Sequence, residues 1–172
     1  IRFGVLGAAR ITPAALVRPA RSHTEASVEL IAARDRTRAD AFATKHGIPR
    51  VAPSYQAVLD DPDIDAVYIP LPNGLHGRWT IAALEAGKHV LCEKPLAATS
   101  AECEKMIAAA KKAGRKLMTA YRLHYEPMTL RAAEACRKKE LGPLRTIESS
   151  NCQDVKAPNI RLSKELAGGP VG

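Results

Sequence analysis

Trp79-Thr80-Ile81-Ala82-Ala83-Leu84-Glu85-Ala86-Gly87-Lys88-His89-Val90-Leu91-Cys92-Glu93-Lys94-Pro95 is the stretch that decides the fold. Residues Trp79 to Ala86 are mostly helix formers, Gly87 stops the helix, and His89 to Cys92 is a short apolar strand that runs into a charged loop. Downstream, Thr99 with Glu102 three residues later is a capping box for a helix reaching Ala113-Gly114, and Leu117 to Ala120 is a further strand. Upstream, the same unit repeats. Ser54 precedes a helical patch from Tyr55 to Leu59, and Asp61-Pro62-Asp63 turns into the buried-type strand Ala66 to Ile69. Before that, strand Val28 to Ala33 meets Arg34-Asp35-Arg36, followed by Ala39, Phe42, Ala43 and His46 at helical spacing until Gly47. The chain opens with strand Ile1 to Leu6, then Gly7, with Thr12 as N-cap and Pro13 as first helical residue. Apolar strands alternate with helices and no Asn-Gly or Asp-Gly hairpin joins them, which predicts a parallel sheet covered on both faces. Such sheets bind ligands at the carboxyl ends of their strands.

After Tyr121 the rhythm changes. A helix from Glu126 to Lys139 and a strand-like run from Leu144 to Cys152 read as the start of a second domain, expected to be incomplete at Gly168-Gly169-Pro170-Val171-Gly172. The fold class expected is therefore α/β: a doubly wound parallel sheet over residues 1–120, then the beginning of a second α/β domain over 121–172.

Composition narrows the function classes. The chain has 172 residues, 46% of them hydrophobic and 26% charged, the balance of a globular protein. No apolar run approaches the ~20 residues that span a bilayer, and the opening residues read as a short apolar strand rather than as the charged and long apolar regions of a secretory leader. A cytoplasmic location without membrane association is the expectation. Cys92, Cys103, Cys136 and Cys152 have no CxxC spacing and are read as reduced and mostly buried. The net charge of +8 comes from scattered lysines and arginines, and aromatics make up only 4%, little for bases to stack on. Nucleic-acid binding is not expected.

The carboxyl-end loops carry the chemistry. In Gly7-Ala8-Ala9-Arg10-Ile11-Thr12, the glycine that lets a backbone approach a pyrophosphate is replaced by Ala9, so the turn reads either as a dinucleotide cradle or as an ordinary strand-to-helix turn. At the end of the second strand Arg34, Arg36 and Arg38 suit a 2'-phosphate, whereas Asp35 suits a ribose hydroxyl or caps the next helix; the balance favours NADP over NAD. Pro72, Asn73 and His76 lie where a ribose or nicotinamide would pass, or are turn and helix-start residues. Glu93-Lys94-Pro95 is the sharpest signal, because opposite charges at the mouth of a buried strand are costly unless paired or used. Lys94 there can stabilise a developing alkoxide; the plainer alternative is a surface ion pair. Tyr121-Arg122-Leu123-His124-Tyr125-Glu126-Pro127 lines the substrate side or packs a domain junction.

In this order the motifs resemble the glucose-fructose oxidoreductase, inositol dehydrogenase and rhizopine-catabolism family, usually called Gfo/Idh/MocA. The resemblance runs through Gly4 to Ile11, Ala33-Arg34-Asp35, Pro72 to His76, Ala83 to Leu96 and Tyr121 to Pro127. The Ala8-Ala9 turn is similar to the branch that includes dimeric dihydrodiol dehydrogenase. The resemblance implies an N-terminal Rossmann domain and a second α/β domain with substrate contacts and often a homo-oligomer interface. It further implies Lys94 beside nicotinamide and substrate as the catalytic residue, Glu93 orienting its loop, and a cis Lys94-Pro95 bond. Gly7, Ala9, Arg10, Ile11, Arg34, Asp35, Arg38, Pro72, Asn73, His76, Glu93, Lys94 and Arg122 are the expected cofactor contacts. The family's aspartate and histidine acid/base pair follows a segment like Gly168-Gly169 and is expected beyond residue 172, so this chain alone is expected to bind cofactor and turn over poorly or not at all. The expected reaction moves hydride between nicotinamide and a carbinol carbon of a sugar, polyol or cyclic alcohol. The alternative is a non-catalytic cofactor sensor or regulator on the same fold, and an interaction fragment is a third.

Overall fold

Strand β1 (Arg2–Leu6) takes the middle of the sheet because Val5 and Leu6 point to opposite faces and both are wholly buried. The computed structural model describes residues 1–150 and residue 152. Within them β1, β2 (Ser27–Ala32), β3 (Arg50–Val51), β4 (Ala66–Ile69), β5 (His89–Cys92) and β6 (Leu117–Thr119) form one sheet in the order β3-β2-β1-β4-β5-β6. Every neighbouring pair is parallel. This is the doubly wound order, with its reversal between β1 and β4.

Alternation along the strands divides the core in two. Leu6, Leu30, Val67, Ile69, Val90 and Cys92 pack against Val58 and Leu59 of α3 (Tyr55–Asp60), Ala83 and Leu84 of α4 (His76–Glu85), and Met106 of α5 (Ser100–Ala113). On the other face Val5, Ile31 and Tyr68 pack against Leu16, Val17 and Ala43, the last from α2 (Arg36–His46). Gly4 brings α3 close to β1: a Cβ there would lie 2.5 Å from Val58 Cγ1. Outside the strands, Lys88 is almost fully buried, and its Nζ donates to the carbonyls of Asp61 at 2.7 Å and Ile64 at 2.8 Å.

Caps fall where the sequence puts them for three helices. Asp35 accepts from the Arg38 amide, Ser54 from Ala57 and Thr99 from Glu102. Gly47 and Gly114 close α2 and α5 in the left-handed conformation. The Glu102 carboxylate departs from the expected box in reaching Ala98 N.

Four expectations need correction. Thr12 does not cap the first helix: its own backbone is already helical, and its hydroxyl is buried without a hydrogen-bond partner. The segment it opens winds as a π turn over Pro13–Val17 before the short α1 (Arg18–Arg21), since Pro19 has no N–H with which to continue the ordinary ladder. Strand β3, absent from the sequence reading, is only Arg50–Val51, too short for any periodicity. Residues 144–150 form no strand, although α6 (Pro127–Lys138) ends near the predicted point; no neighbour among the described residues pairs with their backbone, and strands are stable only in ladders. Residues 153–172, including Gly168-Gly169, lie outside the described residues. None of the four cysteines is paired, but Cys136 and Cys152 are exposed where burial was expected.

Candidate active site

Because all six strands run the same way, the loops after β1, β2, β4, β5 and β6 emerge at one end of the sheet. The chain leaves β1 towards one face and β4 towards the other, which opens a crevice between them. Four of these loops hold the residues singled out above, and the fifth holds Arg122.

The first turn is held open by Gly7. Its φ of +105° is one that side chains rarely adopt, and a Cβ would lie 3.0 Å from Leu71 Cδ2, across the crevice on the β4 loop. Its amide donates to the Ala32 carbonyl at 2.7 Å, fastening the turn to β2. Beyond it Ala8 is buried, Ala9 half-buried, and Arg10 and Ile11 are exposed.

The arginines after β2 are not equivalent. Arg36 pairs with Asp40 one helical turn on, at 2.9 Å. The Arg38 guanidinium donates to the Ala8 carbonyl at 2.8 Å, tying the start of α2 to the first turn. Asp35 gives Oδ1 to the Arg38 amide at 3.1 Å as a helix cap. Arg34 is exposed at the strand end itself.

After β4, Pro72 precedes a 3₁₀ turn, Asn73–Leu75, with Asn73 half-buried and the Pro72 carbonyl accepting from Leu75 at 2.8 Å. His76 is a correction to the expected set of cofactor contacts. As the first residue of α4 it is wholly buried, with Nδ1 2.9 Å from the Pro95 carbonyl and Nε2 2.8 Å from the Leu71 carbonyl. The ring ties the β4 and β5 loops together beneath the crevice and offers no edge to it.

After β5 the charges are separated rather than paired. Glu93 Oε1 accepts the Tyr68 hydroxyl at 2.8 Å, and Oε2 accepts the Lys94 backbone amide at 3.3 Å. Among the described residues no salt bridge joins the Lys94 ammonium to Glu93, and Lys94 is exposed. The Lys94-Pro95 bond is cis, as the resemblance implied. Burial and then the Glu93 carboxylate push the Tyr68 phenol far above its ordinary range, so it remains a donor. Burial likewise pushes the neighbouring Cys92 thiol up to about 12, which removes it as a nucleophile. Arg122 is exposed in a short 3₁₀ turn, Arg122–His124, just past β6.

Tyr68 and Tyr55, which the sequence marks only as strand and helix residues, are brought to this end of the sheet. Tyr68 had a legible signal: a hydroxyl in an otherwise aliphatic strand must find a partner when buried. Among the described residues no cluster of three or more His, Cys, Asp or Glu is placed to hold a metal ion, and no helix is long and apolar enough to cross a membrane.

The site fits a phosphorylated dinucleotide. Gly7 gives the turn after β1 a backbone conformation that side chains rarely adopt, and the exposed Arg34 guanidinium supplies a cation after β2 at the same sheet end.

Comparison with known proteins gives the same picture. The model of an oxidoreductase family with an NAD-binding Rossmann fold matches residues 1–121. D-xylose 1-dehydrogenase (NADP(+)) 2 of Haloferax volcanii is 43% identical over 171 residues, covering 98% of this chain and 52% of that protein. A dTDP-3,4-didehydro-2,6-dideoxy-alpha-D-glucose 3-reductase of Streptomyces antibioticus is 38% identical over 99% of the chain and 52% of its own length. Among solved structures, KijD10, a 3-ketoreductase from Actinomadura kijaniata in complex with NADP and TDP-benzene, superposes with a TM-score of 0.86 at 32% identity, over 98% of this chain and 52% of that one. The chain spans about half the length of the relatives it matches.

Proposed function

The chain belongs to the Gfo/Idh/MocA oxidoreductase family, and on that footing we propose that it is the cofactor-binding part of an NADP-dependent dehydrogenase or reductase acting on a carbinol or keto carbon of a sugar, polyol or related cyclic alcohol. The named relatives above act on sugars or sugar nucleotides. The observation that carries the cofactor preference is the division of labour after β2. Asp35 is engaged as a helix cap, while Arg34 stands exposed at the strand end where a 2'-phosphate would lie.

In this reading the backbone around Gly7, Ala9, Arg10 and Ile11 receives the pyrophosphate, Arg34 the 2'-phosphate, and Pro72 and Asn73 flank the nicotinamide ribose. Arg38 acts by fixing the Ala8 carbonyl. NADP supplies the hydride acceptor or donor when bound. The remaining chemistry belongs to Lys94, whose ammonium donates to the substrate oxygen and stabilises negative charge developing on it. Glu93, fixed between Tyr68 and the Lys94 amide, orients that loop. Arg122 faces the same end from the edge strand.

Residues from 121 onward we read as the beginning of a second α/β domain with substrate contacts and a homo-oligomer interface. Leu123, Tyr125, Met128 and Leu130 are exposed there, the residue types such an interface buries. A cytoplasmic location accords with four unpaired cysteines.

Calorimetric titration tests the preference. NADPH is expected to bind at least about tenfold more tightly than NADH, and Arg34→Ala to remove that difference by costing NADPH one charge-assisted contact. Tighter binding of NADH by the unsubstituted chain refutes the assignment.

A further inference from the structure

Tyr55 stands at the first residue of α3, partly exposed, and no motif in the sequence marks it. Its ring meets Trp79 edge-on, at 5.0 Å between centroids and 85° between planes, so its direction is fixed by packing. That direction carries the hydroxyl to the carboxyl ends of β1 and β2. It lies 3.9 Å from the point a Cβ would occupy on Gly7, and Arg34 is close enough to act on it electrostatically. The hydroxyl thus sits near the turn after β1 and the strand end after β2, the two features that define the adenosine half of the crevice.

We infer that Tyr55 is a cofactor-binding residue whose O–H donates to an oxygen of the sugar-phosphate in the adenosine half of the dinucleotide. This rests on the dinucleotide reading above and adds to it a binding residue on a different element. A phenol both accepts and donates. Burial raises the phenol's pKa, so its proton is retained at neutral pH. The Arg34 and Arg38 side chains add positive charge nearby, which suits an anionic sugar-phosphate and offsets its desolvation.

Tyr55→Phe is the test, since it keeps the ring against Trp79 and removes only the hydroxyl. By isothermal titration, affinity for NADPH and for 2',5'-ADP is expected to fall by the same factor, about fivefold to tenfold, with nicotinamide mononucleotide binding and the thermal midpoint unchanged. Equal NADPH and 2',5'-ADP affinity in the variant and the unsubstituted chain would overturn the assignment of Tyr55 while leaving the dinucleotide reading intact. A loss confined to nicotinamide mononucleotide would overturn it too, by placing the hydroxyl at the other half. If the unsubstituted chain binds neither NADPH nor 2',5'-ADP, the dinucleotide reading falls and this one with it.

Discussion

Replacing Lys94 with alanine in the full-length protein is expected to lower dehydrogenase turnover by about a hundredfold to ten-thousandfold, while NADPH affinity stays within about threefold. The size follows from what is removed. Lys94 is an exposed cation just past β5, beside a carboxylate already held by the Tyr68 hydroxyl and a backbone amide. Its ammonium is therefore available to the substrate oxygen, which is negatively charged once its proton is lost ahead of hydride departure in oxidation and gains that charge as hydride adds in reduction. Alanine removes that stabilisation and leaves the turn after β1 and the arginines after β2 untouched, so binding and turnover separate. Initial rates over a panel of aldoses and polyols, together with calorimetric NADPH titration, make the measurement. Unchanged turnover in the full-length Lys94→Ala variant contradicts the catalytic assignment.

Lys88→Met is expected to destabilise the fold by about 3 kcal/mol, the cost of removing a buried cation from the acceptors it satisfies. Lys88 is only 8% exposed, and its Nζ donates to two carbonyls in the segment that enters β4. Methionine fills similar volume but donates nothing, so the Ile64 carbonyl loses its Lys88 donor and the Asp61 carbonyl keeps only the longer bond from the Ile64 amide at 3.3 Å. Urea unfolding followed by circular dichroism reads the change, and a fall in melting temperature of about 6 to 12 °C accompanies it. A variant within about 1 kcal/mol of the unsubstituted chain would show that those carbonyls recover partners elsewhere. NADPH binding by the folded variant should be preserved, because Lys88 precedes β5 at the end of the sheet away from the crevice.

Most of the architecture was legible because it rests on local chemistry. The strands Ile1 to Leu6, Val28 to Ala33, Ala66 to Ile69 and His89 to Cys92 stand out as apolar runs between caps and glycines, and they occur within about a residue of where they were read. What failed was set by partners distant in sequence. Arg50–Val51 is a strand only because β2 lies beside it. The run from Leu144 was read as a strand on composition, and residues 144–150 find no ladder. Thr12 has an N-cap residue type, but the helix it was to cap is distorted by Pro19 and buries the hydroxyl.

The site divides along the same line. Sequence alone determined that a parallel α/β sheet carries Gly7, Arg34, Asn73 and Lys94 on its carboxyl-end loops, because helix stops, strand formers and turn residues act over a few neighbours. Only the tertiary structure decided what each side chain does there. It turned His76 inward to join two loops, committed Asp35 and Arg38 to the backbone, set Tyr68 on Glu93 and brought Tyr55 to Gly7. Hydrogen-bond partners are chosen by proximity in space, and residues as far apart as Tyr68 and Glu93 become neighbours only once the strands have paired.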